Sequence, residues 1–347
     1  MTMRPTGVPE AGERGSDASG DRPSLPPPTL LERAGAAAAG ISSVGRASRG
    51  RRALLQWGLA ALIFGFLIAF VVRQWNRLPD FNWRFSPGWL AVSALAVGVF
   101  YAVQPEIWRL ILTTLGEHID ARPGRAVWGK SLLARYVPTN VLMLVSRVVM
   151  ADRYGVAKRV CLASIVYELG LSFGTAVMVG AYFVIQLPSL HHQPARYGVL
   201  VVVPLVLVAL HPRVFFPLAN FGLRKLGREP LPRPLSFRSI LGFCGMYIIC
   251  WALVGLGVCA FAAALHPLAA SDFPYVAAAY PVAFCVAVLT FIVPSGLGTR
   301  DAALATAMAA VLVGTVATAI AVAFRIFQTG IELLYVGTVV GLARRRR

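Results

Sequence analysis

Charge is scarce in this chain, and acidic charge is scarcest. Only 14% of its 347 residues are Asp, Glu, Lys or Arg, with 15 acidic against 33 basic, where a soluble domain carries about 25% charged and about 45–50% apolar residues. The hydrophobic share is 57%, more than a fold surrounded by water can bury, which excludes an ordinary soluble domain. Cysteine is sparse as well: five residues, Cys161, Cys244, Cys250, Cys259 and Cys285, all lie in apolar stretches without a CxxC pair. The five histidines sit in loops or at the edges of apolar runs, with no ligand-like spacing. Disulfide and metal chemistry are therefore unsupported, and no metal or cofactor is expected. A GxxxxGK[ST] phosphate loop is missing, which argues against ATP hydrolysis by the chain itself.

What is present is long apolar runs punctuated by basic clusters. The net charge of +18 and pI near 10.7 would suit nucleic acid, but the clusters fall between apolar runs, as in cytoplasmic loops that face anionic lipid; no nucleic-acid partner is expected. Residues 1–50 are rich in Gly, Pro, Ala and charge and have no hydrophobic period, so they cannot bury enough surface to order themselves. The expectation is a disordered cytoplasmic tail over 1–50 ahead of an integral membrane domain over 51–347. Arg46, Arg49, Arg51 and Arg52 precede an uncharged run over 54–72, long enough to cross a hydrocarbon core of about 30 Å. No small-residue cleavage site follows, so it reads as an anchor. Further apolar stretches cover 88–112, 160–187, 197–217, 239–265, 275–293 and 302–342, and the chain closes on Arg344–Arg347. Basic clusters beside the first and last spans place both termini in the cytoplasm, in a multi-pass protein of the plasma membrane.

Two segments break the pattern. Residues 127–150 set Lys130, Arg135 and Arg147 among apolar residues around Pro138, and the apolar run over 275–313 is interrupted by Pro294-Ser295-Gly296-Leu297-Gly298-Thr299-Arg300-Asp301. Irregular backbone at membrane depth survives only where protein or a water-filled cavity satisfies its polar groups. Both segments therefore read as re-entrant or broken helical hairpins. The fold class is an all-α polytopic membrane protein with about six full spans, at 54–72, 88–112, 160–187, 197–217, 239–265 and 315–342, plus the two hairpins. Each hairpin is flanked by full spans within 88–187 and 239–342, entering from opposite sides, so the two blocks form an inverted repeat in hydropathy. Such repeats with broken helices point to a transport site near the midplane.

An ionised side chain inside a span costs about 2.5–3.5 kcal/mol on insertion scales and must be paired, hydrated or used. Glu106 and Arg109 are spaced to pair on one helix face, and Arg147, near the Asp152-Arg153 loop, is expected to snorkel to the cytoplasmic surface. Arg135 and Tyr136 stand just before Pro138, where a helix must break and expose carbonyls and amides. Arg300 and Asp301 follow a Gly-rich turn that opens a new helix, whose N-terminal amides suit an anionic head group, with Arg300 as a bidentate donor; alternatively Asp301 caps that helix and pairs with Arg300. Glu168 lies in mid-span and needs a basic partner such as Arg135, Arg300 or Arg325. Arg325 and Glu332 lie two turns apart on one face of the last helix.

The pieces ARYVPTNVLMLVSRVVMADRYGV (134–156), the Glu168 span after it, and PSGLGTRDAAL (294–304) followed by the Arg325 and Glu332 helix resemble the transmembrane region of lysylphosphatidylglycerol synthases, a flippase-like family. The resemblance covers most of the chain after about residue 54. The family more usually reads RYLPG and PGGLGxRE, so Thr139 and Ser295 replace glycines and Asp301 replaces glutamate. What it implies is movement of a lipid with a bulky polar head between leaflets, with membrane lipids as partners, or support of an enzyme that makes such a lipid. The full-length synthases carry a soluble aminoacyltransferase domain; this chain ends directly after its last span, so a stand-alone member without that activity is expected. The expected function is a non-enzymatic lipid flippase or transporter with Arg135, Tyr136, Glu168, Arg300, Asp301, Arg325 and Glu332 at the substrate. The alternatives are a non-catalytic membrane partner of a cell-envelope glycosyltransferase or synthase, and a membrane-embedded lipid transferase.

Overall fold

The computed structural model describes residues 85–344 apart from 135–139, 191–192, 226–229 and 291–297. The tail over 1–50, the span expected over 54–72, and the site residues Arg135 and Tyr136 lie outside the described residues. Every regular element among the described residues is helical. Among the described residues, five helices are long and apolar enough to cross a membrane, and one bent pair adds a sixth candidate.

The helices fall into two blocks of like order. In the first, a long helix α1 (Pro87–Thr114) leads to two short ones, α2 (Ala121–Leu133) and α3 (Asn140–Asp152), and a long one, α4 (Lys158–Ile185). The second repeats long, short, short, long as α7 (Phe237–Leu265), α8 (Phe273–Leu289), α9 (Thr299–Met308) and α10 (Gly314–Arg344). Between them a 3₁₀ stretch (Pro194–Val201) runs into α5 (Val202–Leu210), and α6 (Pro212–Lys225) follows a 68° bend. The bend has a local cause. His211 precedes Pro212 and is pushed out of the helical region, to φ −58° and ψ 137°. The apolar run expected to cross over 197–217 therefore stops at Leu210, and α6 turns aside with Arg224 and Lys225 in its last turn.

Both expected hairpins have short arms. α2 and α3 have 13 residues each, about 20 Å at 1.5 Å per residue, too short to span. The second is lopsided: α8 with the turn before it makes a 20-residue candidate span, whereas α9 has 10 residues. The α8 and α9 arms run antiparallel, since Tyr275 Oη donates to the Ala307 carbonyl at 2.7 Å while Thr290 meets Thr299 at 3.3 Å.

The blocks meet head to tail. Ser86 N–H donates to the Ala264 carbonyl at 2.9 Å and Ser93 Oγ to the Gly257 carbonyl at 2.7 Å, so α1 and α7 pack antiparallel. The remaining contacts are reciprocal: α4 packs on α8, the entering arm of the second hairpin, and α10 packs on α2, the entering arm of the first. The inverted repeat expected from hydropathy is present at the level of elements and their contacts.

Small residues let these helices approach. Pro281 cannot donate to the carbonyl four residues earlier, that of Ala277, and this carbonyl faces Gly255 of α7. A Cβ on Gly255 would stand 2.6 Å from it. Close approach of backbone at small residues is how membrane helices gain packing energy when lipid removes the hydrophobic drive between them. Gly255→Ala is therefore expected to cost about 1–3 kcal/mol, as overpacking does, lowering the thermal midpoint of the detergent-solubilised protein. Gly245→Ala on the same helix meets nothing within 4 Å and should leave the midpoint within the scatter of wild type.

Candidate functional site

Among the described residues, each hairpin brings an arginine inward, against an aromatic ring of the entering arm and a polar residue of the long helix that follows.

In the first hairpin the arginine is Arg147 of α3. Its side chain is 1% exposed, so it does not snorkel to the surface as expected from its nearness to the Asp152-Arg153 loop. Its Nη1 donates to Oε2 of Glu168 on α4, and its Nε to Ser131 Oγ of α2 at 3.0 Å. The guanidinium faces two indoles, 5.4 Å from the Trp108 ring centre and 5.7 Å from the Trp128 ring centre. Trp128 Nε1 also donates to Glu168 Oε1 at 3.2 Å, and Trp108 Nε1 to Ser164 Oγ at 3.0 Å. Both carboxylate oxygens of Glu168 are thereby occupied. The basic partner that Glu168 requires is Arg147, and neither Arg300 nor Arg325 fills that place. The reason is topological: α3 packs on α4, whereas α9 packs on α8 and α10.

In the second hairpin the arginine is Arg300 of α9. Gly298, at φ +86°, supplies the turn into this helix and is its N-cap, a backbone conformation that suits glycine. Asp301 stands in the first turn of this helix, and its carboxylate is 3.8 Å from Arg300 Nε, an ion pair beyond hydrogen-bonding distance. Arg300 Nη1 donates to Tyr280 Oη of α8 at 2.9 Å and Nη2 to Gln328 Oε1 of α10 at 3.0 Å. The guanidinium also lies 5.1 Å from the Tyr280 ring centre, and Gln328 Nε2 donates to Tyr280 Oη at 2.7 Å. Arg300 is 12% exposed, more open than Arg147.

Gln328 is the middle of a buried polar stripe on α10. Arg325 and Glu332, both buried, lie one turn before and one turn after it on the same face. Glu332 Oε2 accepts from Tyr101 Oη of α1 at 2.8 Å, and Tyr101 stacks on Tyr335 of α10 at 6.2 Å. Of the site residues expected from sequence, Arg300, Asp301, Arg325 and Glu332 thus gather around α9 and α10, while Glu168 belongs to the other hairpin. Sequence reasoning missed Gln328, Tyr280 and the two indoles around Arg147. An amide placed between Arg325 and Glu332 at helical spacing was the signal for Gln328; nothing local marked the tryptophans. At the end of α1, Glu106 meets Arg109 as its spacing predicts, and Arg125 of α2 as well, which fastens the first hairpin to α1. No cluster of three or more metal-ligating residues occurs among the described residues.

Fold and site together define a multi-pass helical membrane protein built as an inverted repeat, with an inward-facing guanidinium in each hairpin among the described residues. The chain belongs to the lysylphosphatidylglycerol synthase TM region family, whose model matches residues 54–336. No curated protein and no solved structure matches it.

Breaking a buried pair costs more than the pair contributes, because it strands the remaining charge. Arg147→Ala and Glu168→Ala are each expected to destabilise by about 3–5 kcal/mol, and the double substitution by less than the sum. Denaturant unfolding in mixed micelles measures this, and additive effects would mean that the two side chains are not coupled.

Proposed function

We propose that this protein moves a lipid with an anionic, phosphate-bearing head group between the leaflets of the plasma membrane, both chain termini facing the cytoplasm, without itself catalysing a reaction. The observation that carries the reading is the second hairpin: an arginine at the start of a short membrane helix, with its two terminal nitrogens on neutral oxygens. A helix N-terminus and a guanidinium are both suited to phosphate. Neutral acceptors hold a guanidinium less strongly than a phosphate oxygen would, since charge-assisted hydrogen bonds are about twice as strong as neutral ones. Arg325 and Glu332 flank the same contact, so a head group carrying both signs of charge would find a partner for each. Broken helices in the two halves of an inverted repeat supply the frame for alternating exposure, and membership of a family defined on lysylphosphatidylglycerol synthases supports a lipid as the cargo.

Leaflet exchange of head-group-labelled phosphatidylglycerol in proteoliposomes tests this. Wild-type protein is expected to accelerate exchange, and Arg300→Ala to lower the rate about tenfold or more, as follows from losing charge-assisted hydrogen bonds of about 1.5–3 kcal/mol. An Arg300→Ala rate equal to wild type, in protein that is still folded, would remove the site from the transport path. No acceleration by wild type would favour a role as a non-catalytic partner of a cell-envelope enzyme.

A further inference from the structure

The two arginine sites are built from the same parts. In each, the returning arm of a hairpin supplies the guanidinium (Arg147 on α3, Arg300 on α9), the entering arm supplies an aromatic ring (Trp128 on α2, Tyr280 on α8), and the long helix after the hairpin supplies the acceptor (Glu168 on α4, Gln328 on α10). In each the ring also hydrogen-bonds to that acceptor, through Trp128 Nε1 to Glu168 and Tyr280 Oη to Gln328. The arginine-to-acceptor separation is 21 residues in the first half and 28 in the second, so the equivalence is one of element and chemistry and not of strict register.

The sites differ in the acceptor. Glu168 is a carboxylate and Gln328 an amide of nearly the same size and shape. A carboxylate neutralises the guanidinium and occupies its hydrogen-bonding edge with charge-assisted bonds that an incoming phosphate must displace. The amide offers that edge a neutral oxygen, while the Asp301 carboxylate stands 3.8 Å away at Nε, beyond hydrogen-bonding distance, so the terminal nitrogens are not held by a charge-assisted bond from their acceptor on α10. Exposure follows the same division, with Arg147 sealed and Arg300 partly open.

We infer that Gln328 is the specificity-determining residue of this protein: by standing where the other half of the repeat has a glutamate, it makes the second hairpin the one that takes an anionic phosphate head group and leaves the first as a locked structural pair. The inference rests on the reading of Arg300 as a lipid-phosphate contact and adds why that half of the repeat, and not the other, serves.

The test is binding of tail-labelled phosphatidylglycerol against tail-labelled phosphatidylcholine to the full chain in uncharged detergent. Four proteins are compared: wild type, Arg300→Ala, Gln328→Glu and Gln328→Met. Wild type is expected to prefer phosphatidylglycerol. Gln328→Glu should lower that preference about tenfold, the worth of one charge-assisted hydrogen bond. Gln328→Met, which introduces no charge, should keep it. Because Gln328→Glu recreates the arrangement of Arg147 with Glu168, it should also unfold no earlier than wild type, so a variant that fails to fold contradicts the equivalence itself. Undiminished preference in Gln328→Glu overturns the inference, as does equal loss in Gln328→Met, which would make the amide's shape rather than its neutrality the cause. If Arg300→Ala abolishes the preference while Gln328→Glu retains it, the Arg300 reading stands and this inference alone falls. If wild type has no preference, both fall together.

Discussion

Hydrocarbon offers no hydrogen bonds, so every amide, carbonyl and charge that this chain carries below the membrane surface must find its partner within the protein. The short helices α2, α3 and α9 exist only under that condition. None is long enough to reach the far side, and each leaves helix-end groups at depth that other helices must cover. The reciprocal packing of α4 on α8 and of α10 on α2 meets this need, each half of the repeat covering the broken segment of the other. Where a proline leaves a carbonyl without its usual donor, as Pro281 does to Ala277, a glycine of the neighbouring helix lies against it.

The same constraint sorts the charges. Glu106 at the edge of α1 takes two arginines; Glu168 in mid-span takes Arg147 and an indole N–H; Glu332 takes a tyrosine hydroxyl. Arg300 has its terminal nitrogens on a tyrosine and an amide. A protein that only needed to hide its charges could use the Arg147 arrangement in both hairpins. The departure from it in the second half means that the two halves of the repeat hold their guanidiniums with acceptors of different charge.

Much of the fold was legible before any coordinates. The ends of α1, α4, α7 and α10 lie within a few residues of the runs read from hydropathy, because a span is a long contiguous signal of fixed minimum length. Both hairpins were also legible, since proline, glycine and charge within an apolar run break a helix locally. The turn at His211 was missed: the apolar run continues past it, and only the clash between Pro212 and the preceding residue redirects the chain.

The pairing of charges was not legible. Arg147 looked like a surface residue because it is near a polar loop in sequence, yet the antiparallel return of α3 carries it against α4. Glu168 had several arginines to choose among, and sequence carries no distances. The sequence by itself determined that the chain is a helical membrane protein, where its long helices run, where two of them break, and which family it belongs to; each follows from composition and local periodicity. Only the tertiary structure decided which arginine meets which acceptor, that Gln328 joins the site, and that the two halves of the repeat hold their guanidiniums differently, because those contacts join helices far apart in sequence and depend on how the elements pack.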